Sequence, residues 1–449
     1  MLHTIQDDEA TLGVAPSAAA ALRSKRSLAE NTLSSSRAIL DGVVQIGLAE
    51  KSDVARAIDA VERLEVLLIG ASRPGDVVEP VFYEWYFRAI EHYKSGDFKQ
   101  LAWLAPAVSA VAALPILRGS AASRTECAFE VDLLEDGRLI LSERASPDGS
   151  APRVGARARL SSQDRILHVA GTEGRASLDW RALDAFGRYA VPGSPIQFWQ
   201  AGHTLERIIA AYQRDLSSIY EDPEPFQLVA PGEFEHEGLY DVFAERFRGG
   251  LSLIEACWPD LYDETCVLTD YFTLIKGNPF IGGSAISCLG VSFFKLLPDW
   301  SDVCFADHIV HEAAHQRLHV EFEVEPALAN GDFTAVISPI RRDPRPLYGV
   351  LHATFVFLRL SLFFERVLAV RPSPEAEQRF HRHVLGLYRG IEQLQRYAHW
   401  NPRGQKLYDH ICRQADRLKT ILPHPRAELY DKLGPDYEPV SALAAAYHD

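Results

Sequence analysis

Residues 301–322 read Ser-Asp-Val-Cys-Phe-Ala-Asp-His-Ile-Val-His-Glu-Ala-Ala-His-Gln-Arg-Leu-His-Val-Glu-Phe. No Gly or Pro interrupts the run, and Ile309, Val310, Ala313, Ala314 and Leu318 surround His311-Glu312-Ala313-Ala314-His315 with apolar and small side chains. This pattern predicts a helix. Asp302 and Asp307 stand toward its start, where the helix dipole favours negative charge. On such a helix His311 and His315 project from one face about 6 Å apart along the axis, which suits two adjacent coordination positions on one divalent metal. His308 and His319 extend the same helix, so its histidine density exceeds what two ligands require. The reading is a metalloenzyme.

The motif fixes neither the metal nor the reaction. In a zinc peptidase Glu312 would polarise a water on the ion, and a third ligand would come from further along the chain. The longer metzincin motif is excluded, because Leu318 and Glu321 stand where it needs Gly and His. Glu365, in Phe363-Phe364-Glu365-Arg366, is the candidate for a third carboxylate ligand. His352 is the stronger candidate. It lies in a run from Arg345 to Phe357 in which Pro346 suits a first helical turn and the following helix is apolar nearly all round. Such a helix is buried, and a polar residue inside it needs a partner, either the metal or a hydrogen bond in the core. His352, Arg359, Glu365 and Arg366 interrupt the run too early for a membrane span.

Between the two helices, Ser338-Pro339-Ile340-Arg341-Arg342-Asp343-Pro344-Arg345-Pro346 sets three arginines among three prolines. Guanidinium forks pair bidentately with carboxylates, and 2-oxoglutarate carries two. The alternative is a solvated loop in which Asp343 pairs with an arginine. With histidine and carboxylate ligands and open positions, Fe(II) can bind 2-oxoglutarate and O₂.

These residues resemble the 2-oxoglutarate-dependent HExxH-type peptide β-hydroxylases of ribosomal peptide natural product biosynthesis. The resemblance rests on His311 to His315, then Ser338-Pro339-Ile340-Arg341, Asp343-Pro344-Arg345-Pro346-Leu347 and Gly349-Val350-Leu351-His352, and covers roughly residues 277–368. It implies iron held by His311, His315 and a later residue matched to His352, with hydroxylation at the β-carbon of a peptide side chain. This chain departs from the family form at Ile340, where an aromatic is often found. Arg345 is the first choice for the distal carboxylate of 2-oxoglutarate, with Arg341 and Arg359 as alternates. Glu312 is either a general base or a residue that orients a ligand or contacts substrate.

The 449 residues suffice for two or three packed subdomains, and a formal net charge of −15 argues against nucleic acid and anionic membranes as partners. Asp7, Asp8 and Glu9 make the first ten residues acidic, with no signal-peptide pattern, so the expected location is cytoplasmic. Cys127, Cys257, Cys266, Cys288, Cys304 and Cys412 lack CxxC spacing and read as reduced core thiols. His381, His383, His399 and His410 read as surface or packing residues.

The expected fold is α+β, with a helical region over 1–120, a β-rich segment over 121–200, and a mainly helical catalytic region over 201–449 that carries the metal helix. A hairpin is expected from Ala128–Leu133 and Arg138–Leu141, with a loop tip at Ser146–Gly149. Strands are expected at Cys266–Leu274 and Ser284–Phe293, helix at Thr204–Tyr220 and a linker at Asp222–Pro231. The expected activity is an Fe(II)- and 2-oxoglutarate-dependent dioxygenase acting on a peptide, which can be a leader-bearing precursor. The rivals are a zinc metallopeptidase using Glu365 and a non-catalytic, metal-bearing protein that binds a peptide or partner enzyme.

Overall fold

The computed structural model describes residues 15–49, 51–113, 115–117, 127–132, 157–163, 166–171, 174–179, 188–199, 205–206, 208–210, 212–213, 227–228, 239–276, 282–295, 300–331, 336–337 and 344–426. Helix dominates these residues, with smaller sheets, so the chain is α+β.

The N-terminal layer is α1 (Ala18–Gln45), α2 (Lys51–Gly70), α3 (Pro80–Ser95), α4 (Phe98–Leu104) and α5 (Val108–Val111). Ser17 caps α1 by accepting from the Ala20 amide, and Gly96, at φ 74°, closes α3 in the left-handed conformation that glycine adopts without strain. Leu28, Leu33, Leu64, Phe82 and Trp85 form its core, which also takes in Leu268, Leu289 and Val320 from the rest of the chain.

An antiparallel meander follows: β1 (Cys127–Asp132), β2 (Arg157–Gln163), β3 (Ile166–Gly171) and β4 (Arg175–Asp179), paired in that order. The first strand of the expected hairpin is therefore present, and its observed partner is β2. The expected partner Arg138–Leu141 and the tip Ser146–Gly149 lie outside the described residues. Next come β5 (Arg188–Ala190), β6 (Gln197–Trp199) and β7 (Gln227–Leu228), the last of which falls inside the stretch expected to be a linker. Where described, residues 205–213 are helical.

The C-terminal half holds α6 (Leu239–Cys257), α7 (Pro259–Leu268), β8 (Tyr271–Lys276), β9 (Gly282–Gly283) and β10 (Val291–Lys295). After these come α8 (Asp302–Phe322), β11 (Val336–Ile337), β12 (Pro344–Arg345), α9 (Leu347–Val370), α10 (Pro374–Tyr397) and α11 (Pro402–Ile421). A mixed sheet runs β5-β6-β8-β10-β9, with β7 added on β8, so it joins strands from both sides of residue 200.

Two expected strands shift. Cys266–Leu268 is helical, because Pro259 starts α7 and Leu261, Thr265 and Leu268 bury at helical spacing, leaving the strand to begin at Tyr271. Ser284–Phe293 is a strand only from Val291. A 3₁₀ turn occupies Ile286–Cys288, and Gly290 at φ 92° redirects the chain beside the Asp270 carboxylate.

Helix α8 opens where the sequence indicated, with Ser301 accepting from the Cys304 amide. It is buried on nearly every side. Its polar residues away from the histidines join a buried charge network. Glu264 accepts from Arg359 Nη2 at 2.7 Å and lies 3.5 Å from Arg317 Nε, while Arg317 Nη1 reaches Glu321 Oε2 at 2.5 Å. Ser17 N and Ser24 Oγ donate to Glu264 and Glu321 at 2.8 Å, and Arg403 also pairs with Glu321. Lys25 donates to Asp270 at 2.6 Å, and Arg73 joins it at 2.9 Å. Helix α1 is thereby fastened to α7, α8 and the turn before β8 by charge-assisted bonds.

Helices α9 and α10 pack closely because α10 carries Gly386 and Gly390, where a Cβ would meet the Phe357 ring at 2.8 Å or the Thr354 hydroxyl. Two helical stretches, Phe98–Leu117 and Leu347–Val370, are long and apolar enough to cross a bilayer, yet 76% and 83% of those windows are buried inside the protein.

Candidate metal centre

Helix α8 presents His311, His315 and His319 one turn apart, and α9 brings His352 against them. His311 Nε2 lies 3.2 Å from His315 Nε2, and His315 Nδ1 lies 3.1 Å from His352 Nδ1. Two metal–nitrogen bonds of about 2.1 Å meeting at 90–110° place their nitrogens about 3.0–3.4 Å apart, so both spacings suit adjacent ligands. His352 is buried, and among the described residues its Nε2 has no hydrogen-bond partner.

As arranged, His315 turns one nitrogen to each neighbour, so the three imidazoles form a hydrogen-bonded chain. Among the described residues no group of three or more His, Cys, Asp or Glu side chains converges as a complete metal site. For the three to share one ion, His315 would have to present a single nitrogen toward both neighbours.

Burial holds His311, His319 and His352 neutral. His311 is pushed well below the usual histidine range by desolvation, then by His315 and His308, with Asp307 opposing. His352 is pushed the same way by burial, His319 and His315, and His319 falls to about 3 through burial and His315. Neutral imidazoles keep the lone pair a metal needs.

Glu312 is buried, and desolvation raises its carboxyl to about 8 against the opposing Ser284 hydrogen bond. Ser284 Oγ donates to Glu312 Oε2 at 2.8 Å. A Cβ on Gly282 would stand 3.2 Å from Glu312 Oε1, and one on Gly283 would land on the Tyr212 hydroxyl, so the paired glycines of β9 make room for both side chains. Tyr212 stacks on Phe293 at 4.8 Å and sits near Arg345, opposing the burial that lowers that guanidinium to about 10. Ser284, Tyr212, His319 and Tyr348 were not singled out as site residues by sequence. For His319 the signal was present as the i+4 repeat after His315.

The other candidates are placed as follows. Arg345 is half-buried on β12, paired with Val336 of β11. Arg341 lies outside the described residues. Arg359 is buried, pairs with Glu264 and lies 5.4 Å from the Phe355 ring, and its Nε and Nη1 have no hydrogen-bond partner among the described residues. Glu365 is not brought to the histidines. It stands 13 residues after His352 on one helix, about 20 Å along the axis, and both its oxygens pair with Arg417 at 2.6 Å.

Among the other described histidines, His308, His381, His383 and His410 are buried and engaged elsewhere. His308 stacks on Trp300 at 4.4 Å, and burial lowers it to about 3. His383 Nε2 lies 3.0 Å from Asp307 Oδ2, which also accepts from Arg379 at 2.6 Å. His381 Nδ1 accepts from the Arg426 amide, His410 pairs with Arg413, and His399 is exposed.

No protein-family model matches this chain, and no curated protein matches it.

Proposed function

We propose that this protein is an Fe(II)- and 2-oxoglutarate-dependent oxygenase that hydroxylates the β-carbon of a side chain in a peptide, in the maturation of a peptide natural product. The observation that carries the reading is the meeting of His311, His315 and the buried His352 from two helices at nitrogen spacings of 3.1–3.2 Å. His311, His315 and His352 would hold the iron, which when bound with 2-oxoglutarate supplies the redox chemistry that inserts one atom of O₂ into a C–H bond and yields succinate and CO₂. Arg345 would grip the distal carboxylate through a charge-assisted pair, with Tyr212 beside it. Arg341 and Arg359 are the alternates. Ser284 holds the Glu312 carboxyl against the edge strand β9, where it would orient a ligand or meet substrate.

The zinc peptidase reading loses its carboxylate ligand, since Glu365 is held by Arg417. The deciding experiment incubates peptides encoded beside the gene with Fe(II), ascorbate and 2-oxoglutarate. The expected result is a gain of about 16 Da with stoichiometric succinate, and Arg345→Ala should raise the 2-oxoglutarate requirement without lowering iron content. Two peptide fragments formed with zinc and without 2-oxoglutarate would overturn the proposal. Metal uptake with no change in any peptide would favour the binding-protein reading.

A further inference from the structure

Among the described residues, the His352 ring has one hydrogen-bonding contact: its Nδ1 faces His315 at 3.1 Å, while its buried Nε2 has no partner among them. Ligating histidines are ordinarily oriented through their second nitrogen, by a carboxylate, a carbonyl or a water. Here rings confine it instead. The Tyr348 ring, one turn earlier on α9, lies 4.3 Å from the His352 ring, and the His319 ring, one turn after His315 on α8, lies 4.7 Å from it. His315 covers it from a third direction, stacked at 5.3 Å and 16°. Tyr348 Oη lies 3.3 Å from His319 Nδ1, within hydrogen-bonding distance, which joins the two confining rings across the helix pair. The Tyr348 backbone amide is itself anchored, donating to the Gly331 carbonyl at 2.9 Å.

We propose that Tyr348 and His319 are positioning residues that hold the His352 imidazole in the orientation metal binding requires, the phenol–imidazole hydrogen bond standing in for the partner that His352 Nε2 lacks. The inference rests on the reading of His311, His315 and His352 as ligands. Tyr348 and His319 act through His352 and touch no ion. Breaking their bond frees the His352 ring to rotate, so the site must order it again each time metal binds.

The test uses the full chain and Co(II) alone, titrated without oxygen and followed by visible absorption and equilibrium dialysis. The parent is expected to take up one Co(II). His319→Leu and Tyr348→Phe are expected to take up one as well, with affinity weaker by about 10- to 100-fold and a changed visible band. His319→Gln offers Tyr348 an amide oxygen in place of Nδ1 and should recover most of the affinity. Tyr348→Phe keeps the ring and removes only the O–H, so matched thermal unfolding of the metal-free proteins separates positioning from folding. Unchanged affinity and band in both His319→Leu and Tyr348→Phe would overturn the proposal while leaving the three-ligand reading in place. Complete loss of Co(II) in His319→Leu alone would overturn it too, by making His319 a ligand. A parent that binds no Co(II) would remove both readings together.

Discussion

Replacing Glu264 with Gln is a severe test of the charge network behind the histidine helix. The side chain is 2% exposed, accepts from Arg359 at 2.7 Å and from Ser17 N at 2.8 Å, and lies 3.5 Å from Arg317. Arg317 keeps Glu321 at 2.5 Å when Glu264 is neutralised. Arg359 keeps no acidic partner among the described residues, and two of its nitrogens already have no hydrogen-bond acceptor there. A unit charge pair at about 4 Å and an effective dielectric of about 20 is worth about 4 kcal/mol, and removing one partner of a buried pair costs about 3–5 kcal/mol. With a urea m-value of about 3 kcal/mol/M, the midpoint should fall by at least about 1 M. The double variant Glu264→Leu/Arg359→Met removes both charges and should recover most of that loss, because a buried pair replaced by apolar groups is close to neutral. Urea unfolding followed by tryptophan fluorescence reads all three proteins. A midpoint shift below about 0.2 M for Glu264→Gln, or a double variant no more stable than the single one, would refute the account.

Other expectations follow from the same geometry. His308 is held near 3 in the folded state against about 6.5 when unfolded, so the unfolded chain gains the proton first as pH falls. The stability it contributes is intact above about pH 6.5 and falls by about 2 kcal/mol by pH 5; His308→Phe, which keeps the stacking on Trp300, should remove that share of the acid loss, while His311, His319 and His352 keep theirs. Gly283→Ala places a methyl on the Tyr212 hydroxyl and should cost about 1–3 kcal/mol, with iron uptake retained and the 2-oxoglutarate requirement raised through Arg345. Burial raises the Cys304 thiol to about 12, so it should resist thiol reagents at pH 8 until the protein unfolds, as mass spectrometry of the labelled protein would show. His311→Ala, His315→Ala and His352→Ala should each abolish stoichiometric iron binding in anaerobic dialysis.

The parts legible in sequence were those governed by local periodicity. The uninterrupted run from Ser301 to Phe322 and the apolar helix after Pro346 both announce themselves within one or two turns. The meeting of His352 with His315 was legible as a polar residue in need of a partner and as the third ligand that the family resemblance implies. Long-range partners were not legible. Nothing local ties Arg359 to Glu264, 95 positions earlier, or Glu365 to Arg417. Tyr212 reaches the site because Gly283 has no side chain, a steric fact written in two distant segments. The strand expected at Cys266 failed because an apolar run of that length is compatible with either period, and Pro259 with the burial of Leu261 and Leu268 decided for helix.

The anchoring of α1 by Ser17, Ser24 and Lys25 bears on how this protein can be dissected and recombined. Those three residues complete carboxylates that belong to α7, α8 and the turn before β8. A fragment beginning near residue 201 would expose the Leu268, Leu289 and Val320 surface and strip Asp270 of its lysine, so it is a poor vehicle for studying the histidine centre. Chimaeras that exchange the N-terminal helices must carry Glu264, Asp270 and Glu321 with them, and natural variation at those six positions should be inherited as a block.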